Sequence, residues 1–353
     1  MMEKFFKNKK VLITGNTGFK GSWLSLWMHT YGAKVLGISS NIPSKPSNFL
    51  ALDLNKKIKN KKIDIRDFKK IKNEILKFKP DFIFHLAAEA IVKRAYRNPK
   101  YTWEVNTLGT VNILETLKFV KKNTIAVIIT SDKVYKNLEI NRGYNESDVL
   151  GGYDPYSASK ASADLAVQSF FKTYLSYNKK IKVCIARAGN VIGGGDWSEG
   201  RLIPDCMKKW SLNKIVKIRN PKSTRPWQHV FDVLNGYISL AINVKKNSKI
   251  NGYAFNFGPK LEKKREVLNI VKEMSKRWIN STWKLERDKN LKESKLLQLN
   301  SKKAKKYLNW QCKLNLKQAI QFTVDWYKVY YFQRKDLIDF SLKQLTKFKN
   351  LKK

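Results

Sequence analysis

Residues 11–31 read VLITGNTGFKGSWLSLWMHTY: a short apolar run, a glycine-punctuated turn and an apolar-periodic stretch in immediate succession. The run VLITG has the length and branching of a buried strand, and residues 22–31 have the spacing of a helix. Between them lies Gly15-Asn16-Thr17-Gly18-Phe19-Lys20-Gly21, with glycines three apart. Such glycines permit a tight turn and let backbone N–H groups approach a ligand at the positive end of the helix dipole. Strand, turn and helix in that order predict the first βα unit of a dinucleotide-binding sheet, with the turn cradling a pyrophosphate.

The same alternation continues outward. Apolar strands are expected at KVLGIS (34–39), KIDI (62–65), DFIFHLAA (81–88), TIAVIITSD (124–132) and KVCIARAGN (182–190), with helices at 67–78, 99–120 and 155–176. Strands separated by helical stretches predict an α/β fold with a doubly wound parallel sheet of Rossmann type. Beyond Gly193 the alternation weakens: Gly193-Gly194-Gly195-Asp196-Trp197 reads as a loop, 201–212 as a helix, and 215–228 carries Pro221 and Pro226. Residues 1–190 are therefore expected to form the dinucleotide domain. Residues 191–353 should be mainly a smaller α/β substrate lobe with C-terminal helices. Residues 228–260, a helix at 230–245 and the strand YAFNFG at 253–258, are expected to return to the main sheet. The stretch 316–347 has helical spacing, and its Trp326, Tyr327, Tyr330 and Tyr331 read as a packing stripe.

With 353 residues and 42% hydrophobic content, the chain can bury a sizeable core. Its net charge of +43 invites a nucleic-acid reading. The charge, however, comes from 12 arginines and 59 lysines, and the lysines are spread over every segment rather than gathered on one face. No specific nucleic-acid recognition is expected, beyond weak attraction to polyanions. No run approaches about 18 apolar residues, so neither membrane insertion nor export is expected. Cys184, Cys206 and Cys312 lie far apart and form no ligand spacing with His29, His85 and His229. That pattern argues against a disulfide framework and a metal site, and fits a reducing cytoplasm.

The chemistry gathers at two later motifs. Tyr156-Ser157-Ala158-Ser159-Lys160 places a phenol and an ammonium one helical turn apart, where the cation favours the phenolate. The spacing alone is cheap, since Tyr96/Lys100 and Tyr331/Lys335 repeat it. Only Tyr156 follows a capping Asp154 and a helix-starting Pro155, after a strand that ends in Ser131-Asp132-Lys133. That triplet falls at the carboxyl edge of the sheet, where ligands bind. Ile38-Ser39-Ser40-Asn41 ends the second strand without the acid that holds a ribose, so the loop does not choose between NAD and NADP. Asp64, followed by Ile65, stands where a carboxylate can accept from an adenine amino group, or can cap the helix that follows. Leu86, Ala87 and Ala88, which end the fourth strand, are also expected to bind the cofactor.

Together with GNTGFKGSWLSLWMHTYGAKVLG, the stretches HLAAEAIVKRAYRNPKYTWEVNTLGTVNILE, ITSDKVY, YSASKASADL, RAGNVIGGGDWSEGRLIPD and IRNPKSTRPWQHVFDVLNGY are similar to the extended short-chain dehydrogenase/reductase family, and within it to the nucleotide-sugar 4,6-dehydratases. The resemblance runs from about residue 9 to about 328. It implies NAD as a retained cofactor and a nucleotide sugar, CDP-glucose, as substrate. It also implies oxidation at C4, loss of water across C5–C6 and return of hydride to C6, with no net redox change. By the same resemblance Tyr156, with Lys160 and Ser131, takes the 4-hydroxyl proton, Asp132 is the acid for the leaving water, and Lys133 is the C5 base where sister enzymes carry a glutamate. Asn106 matches a family asparagine near the active site. Asn190, Arg201, Arg219, Arg225 and Trp227 align with blocks that hold the nucleotide and diphosphate. The resemblance further implies a homo-oligomer, dimer or tetramer, and a place in deoxysugar biosynthesis for cell-surface polysaccharide such as lipopolysaccharide O-antigen. The competing readings are a dehydratase or 4-epimerase of another nucleotide sugar, and a non-enzymatic nucleotide-sugar or polyanion binder. Asp132 discriminates against the epimerase, which eliminates nothing.

Overall fold

The structure, a computed structural model, describes residues 2–140, 142–260, 266–286, 297–333 and 336–352. Seven strands, β1 (Lys10–Thr14), β2 (Lys34–Ser39), β3 (Lys59–Lys62), β4 (Phe82–His85), β5 (Thr124–Ile129), β6 (Ile181–Ala188) and β7 (Ala254–Phe257), form one sheet. Its order is β7-β6-β5-β4-β1-β2-β3, and every pairing is parallel. The chain reverses its winding between β1 and β4, which opens a crevice at their carboxyl ends. The apolar runs are explained by burial on both faces: all six residues of β5 are buried.

The longer helices are α1 (Phe19–Thr30), α2 (Phe68–Phe78), α3 (Gly109–Leu117), α4 (Pro155–Phe170), α5 (Leu202–Trp210), α6 (Val230–Lys246), α7 (Leu316–Phe332) and α8 (Leu337–Asn350). Local chemistry sets their starts. Asp154 accepts from the Ser157 N–H and Pro155 opens α4, so Tyr156 and Lys160 lie in its first turns. Asn315 and Gln318 close a reciprocal capping box on α7.

Several boundaries differ from those read in the sequence. The third strand is 59–62 rather than 62–65, because its partner β2 ends at Ser39, opposite Lys62. The expected helix 99–120 is broken: Pro99–Trp103 and α3 are joined by a π turn at Glu104–Leu108. A second π turn, Phe171–Leu175, follows α4. The C-terminal stretch is two helices, with Arg334 and Lys335 between them outside the described residues, so the Tyr331/Lys335 pair cannot be placed.

Residues 254–257 join the main sheet as β7 beside β6, and α6 packs against β5 and β6. The glycine loop after β6 packs beneath the aromatic stripe of α7. A Cβ on Gly194 would lie 2.1 Å from the Trp326 ring, and Trp23 Nε1 donates to the Gly194 carbonyl at 2.8 Å. Trp197 meets Trp326, Tyr327 and Tyr330 edge-on, and the Tyr327 hydroxyl donates to the Asp196 carbonyl. The stripe is packing, and it fixes the loop that carries Asp196. Among the described residues no helix is long and apolar enough to cross a membrane.

Candidate active site

The glycine turn after β1 is built for close approach. Gly15 has φ +71°, and a Cβ there would lie 2.7 Å from the Ala87 nitrogen, so a side chain is excluded on two counts. Leu86 N donates to the Thr14 carbonyl at 3.1 Å, and Ala87 N to Thr14 Oγ1 at 3.2 Å, which holds residues 86–88 against the turn. Gly18 caps α1 in an extended conformation with no side-chain cap, leaving the first-turn N–H groups to a ligand. These features fit a pyrophosphate-bearing dinucleotide.

The missing acid at the end of β2 has a structural counterpart. Ser39 Oγ donates to Asn16 Oδ1 at 2.8 Å, Asn16 Nδ2 donates to Asn60 Oδ1 at 2.8 Å, and Thr17 Oγ1 donates to the Asn41 carbonyl at 2.7 Å. Residues 39, 41 and 60 thus brace the glycine turn. Asp64 lies just beyond β3 and does not cap the next helix; Asp67 does, accepting from the Lys70 N–H. Asp64 instead receives the Arg66 guanidinium, which also reaches Glu104 and covers the Tyr101 ring. Partial burial works to raise the Asp64 carboxyl, but its hydrogen bonds with Arg66 outweigh this and lower it. Ile65 is buried against Gly109.

Across the crevice, β5 and α4 bring the second motif together. Ser131 Oγ donates to Asp132 Oδ1 at 3.0 Å and accepts from the Lys133 N–H at 3.2 Å. Lys160 Nζ donates to the Ile129 carbonyl at 3.1 Å, which ties α4 to the end of β5. Lys133 Nζ stands 6.0 Å from the centre of the Tyr156 ring. Burial pushes the Tyr156 phenol up to about 12, opposed by a side-chain hydrogen bond with Ser131. Burial also raises Asp132, against the pull of Lys133, Ser131 and Arg225. Lys160 is lowered to about 7, chiefly by burial and then by the charge of Lys20, while Asp164 works the other way.

Lys20, expected within the cofactor turn, sends its ammonium toward this second group. It lies 5.9 Å from the centre of the Tyr237 ring, and the charges of Arg201, Asp132 and Asp196 act on it. Burial first, and Arg201 second, lower it to about 8. Tyr237 was not legible as a site residue. It arrives on α6, fully buried, its hydroxyl has no hydrogen-bond partner among the described residues, and it feels the charges of Tyr156 and Asp132. Asn106, buried on the π turn, donates to the Glu89 carbonyl and Ser159 Oγ and accepts from the Glu89 N–H, linking the loop after β4 to α4.

The residues expected to meet substrate divide. Arg201 bonds Asp196 at 2.9 Å, and its charge acts on Tyr156. Arg225 donates to the Thr224 carbonyl, and its charge acts on Asp132. Asn190, two residues beyond β6, accepts from the Gln228 N–H through its carbonyl. Arg219 is exposed beyond residues 216–218, where its charge acts on Asp205 and Glu286 rather than on the Tyr156 group. Trp227 packs into the main core, its indole N–H unpaired among the described residues, so the structure gives it a supporting place rather than a ring open for stacking. Among the described residues no group of His, Cys, Asp and Glu could hold a metal ion.

Known proteins are similar to the chain over nearly its whole length. The profile of the family described as GDP-mannose 4,6 dehydratase matches residues 12–323. CDP-glucose 4,6-dehydratase of Salmonella typhimurium is 40% identical, over 99% of this chain and 98% of that protein. CDP-paratose 2-epimerase of Salmonella typhi is 26% identical, over 90% and 98%. In fold, dTDP-glucose 4,6-dehydratase of Bacillus anthracis, solved with NAD, superposes with a TM-score of 0.74 at 22% identity, covering 92% of this chain and 99% of that one. A match through nearly the whole chain, spanning the glycine turn, the Ser131 triplet and the Tyr156/Lys160 helix, places the chain in the GDP-mannose 4,6 dehydratase family of nucleotide-sugar dehydratases, within the extended short-chain dehydrogenase/reductases.

Proposed function

We propose that the chain is an NAD-dependent CDP-glucose 4,6-dehydratase, converting CDP-glucose to CDP-4-keto-6-deoxy-glucose and water. One observation carries this reading beyond the family: a buried carboxyl, Asp132, hydrogen-bonded to Ser131 beside the Tyr156 phenol. An acid whose pKa is raised by burial suits a reaction that must protonate a leaving hydroxyl. The 40% identity with the Salmonella typhimurium enzyme supports the choice of CDP-glucose.

In this reading the glycine turn, with Asp64, Ile65 and residues 86–88, holds NAD. When bound, NAD supplies the hydride acceptor for C4 and the donor for C6. Tyr156, beside Lys160 and Ser131, takes the 4-hydroxyl proton. The ketone so formed acidifies C5, whose proton Lys133 removes while Asp132 protonates the 6-hydroxyl. Arg201 and Arg225 reach the same crevice and suit the diphosphate, each offering a planar fork of donors; Asn190 borders it. The lobe beyond residue 190, apart from the segment that returns to the sheet, closes the substrate side.

A homo-oligomer is supported by exposed Trp103, Leu108 and Leu165 on or beside neighbouring helices, and light scattering coupled to gel filtration tests it. Buried thiols at Cys184 and Cys206 suit a cytoplasmic enzyme. The direct test is to incubate the protein with CDP-glucose, GDP-mannose, dTDP-glucose and UDP-glucose, without and with NAD, and to follow loss of water by mass spectrometry. Dehydration of CDP-glucose is expected, while intact CDP-glucose in the presence of NAD overturns the reading.

A further inference from the structure

In the reaction proposed above, oxidation at C4 draws on groups of α4, whereas elimination draws on Asp132 and Lys133. The α4 groups are held by the Asp154 cap and by the bond from Lys160 Nζ to the Ile129 carbonyl. Asp132 and Lys133 ride on a separate piece of chain, the short 3₁₀ turn Asp132–Val134 that follows β5. So short a turn has little stiffness of its own. Its entry is pinned by Ser131, whose Oγ accepts from the Lys133 N–H at 3.2 Å. Its exit must be pinned as well, or the acid and the base swing together.

The exit is Tyr135. Its backbone forms an antiparallel bridge with Leu150, and the Gly151 N–H donates to the Val134 carbonyl at 2.8 Å, but Leu150 and Gly151 belong to a loop. The side chain of Tyr135 reaches the sheet itself. Its ring, fully buried, stacks on Tyr144 with centroids 5.1 Å apart. Its hydroxyl accepts from Arg187 Nη1 at 2.8 Å and donates to Asn256 Oδ1 at 2.7 Å. Arg187 and Asn256 are register partners in β6 and β7, so the phenol is fastened to neighbouring strands at once.

The direction of these bonds is forced. A guanidinium only donates, which leaves the phenol hydrogen for Asn256. The Asn256 amide nitrogen faces the carbonyls of Tyr144, at 2.8 Å, and Asn300, at 3.4 Å, which leaves its oxygen for the phenol. Removing the hydroxyl therefore deprives the buried Asn256 oxygen of its donor, while Arg187 keeps Asp164 and the Glu146 carbonyl. The turn loses its tie to the sheet and α4 keeps its own.

We propose that Tyr135 is a positioning residue for elimination: its hydroxyl, held between Arg187 and Asn256, fixes the Asp132–Val134 turn so that the acid meets the 6-hydroxyl and the base meets C5, while oxidation at C4 proceeds without it. Hydride that has left C4 returns to C6 only after water is lost. A displaced turn therefore leaves NADH and the 4-keto sugar standing in the site.

The inference rests on the dehydratase reading, and the experiment separates the two. Tyr135→Phe keeps the ring and its stack on Tyr144 and removes only the hydroxyl. The NAD-loaded parent and variant are mixed with CDP-glucose, NADH absorbance is followed by stopped flow, and water loss is followed by mass spectrometry. In the variant NADH formation should keep the parent rate, water loss should fall about ten- to a hundredfold, as when reacting groups are displaced by about 1 Å or less, and NADH should stand at a higher level. Solvent deuterium uptake at C5 of CDP-6-deoxy-glucose, which can be oxidised but has no hydroxyl to expel, should fall by a similar factor. A general loss of packing would instead slow oxidation and elimination together. Absence of water loss from the parent enzyme overturns the dehydratase reading and this inference with it. A parent that dehydrates CDP-glucose, with a Tyr135→Phe variant that slows NADH formation as much as water loss or slows neither, overturns the positioning role alone.

Discussion

The guanidinium of Arg187 grips the carboxylate of Asp164 through two hydrogen bonds, Nε to Oδ2 at 2.8 Å and Nη2 to Oδ1 at 2.7 Å, with both side chains out of solvent. Arg187 comes from β6 and Asp164 from α4, one turn beyond Lys160, so the pair clamps the helix of the candidate site to the sheet. Thr130 and Gln168 complete the carboxylate, and Tyr135 shares the guanidinium. Removing one partner strands a buried charge. Asp164→Ala should therefore cost about 3–5 kcal/mol of folding stability, read as a fall in the urea midpoint.

Lys160 makes stability depend on pH. Burial, with Lys20 adding to it, lowers its ammonium from 10.5 to about 7. Between pH 7 and the ordinary lysine range the unfolded chain binds the proton and the folded chain does not, so this group makes folding more favourable as pH rises. The destabilisation is fully present below about pH 7 and is relieved toward 10.5. Replacing Lys160 with Met should remove a slope of about 1.4 kcal/mol per pH unit across that window. Denaturant midpoints of parent and variant, measured from pH 6 to 9.5, should converge as pH rises; parallel curves would contradict the assignment.

Lys20 tests whether its ammonium belongs to the reaction centre or only to the glycine turn. Its charge helps to lower Lys160, so Lys20→Met should let the Lys160 pKa climb and keep that ammonium charged to higher pH. The alkaline limb of the kcat/KM profile is expected to move upward in the variant, while Lys20→Arg keeps it near the parent position. An unmoved limb in Lys20→Met would return Lys20 to the cofactor turn.

Gly194 has no room for a methyl group, since its Cβ would fall 2.1 Å from the Trp326 ring. Gly194→Ala should cost about 1–3 kcal/mol, as overpacking of a rigid core does. It should also raise KM more than it lowers stability alone would explain, because the displaced loop carries Asp196 and its Arg201 partner. A thermal melt and a Michaelis series on the same preparation separate the two effects.

The chain order announced the sheet because strands β1, β2, β4, β5 and β6 are apolar runs whose pattern needs no distant partner to be read, whereas β3, Lys59-Asn60-Lys61-Lys62, is polar and exposed and was placed only by its pairing with β2. Gly15, Tyr156 and Lys160 were legible for a similar reason: a positive φ demands glycine, and four-residue spacing on a capped helix fixes two side chains on one face. What tertiary structure alone decided depends on contacts between residues remote in sequence. Ser39, Asn41 and Asn60 became braces of the glycine turn only when β2 and β3 aligned beside it. Tyr237 reached the Tyr156 group only because α6 lies against β5 and β6, and the arginines parted, Arg201 and Arg225 turning inward and Arg219 outward. Even the protonation of the candidate site belongs to the fold, since burial is what raises Asp132 and lowers Lys160, and desolvation has no counterpart in a string of residue types.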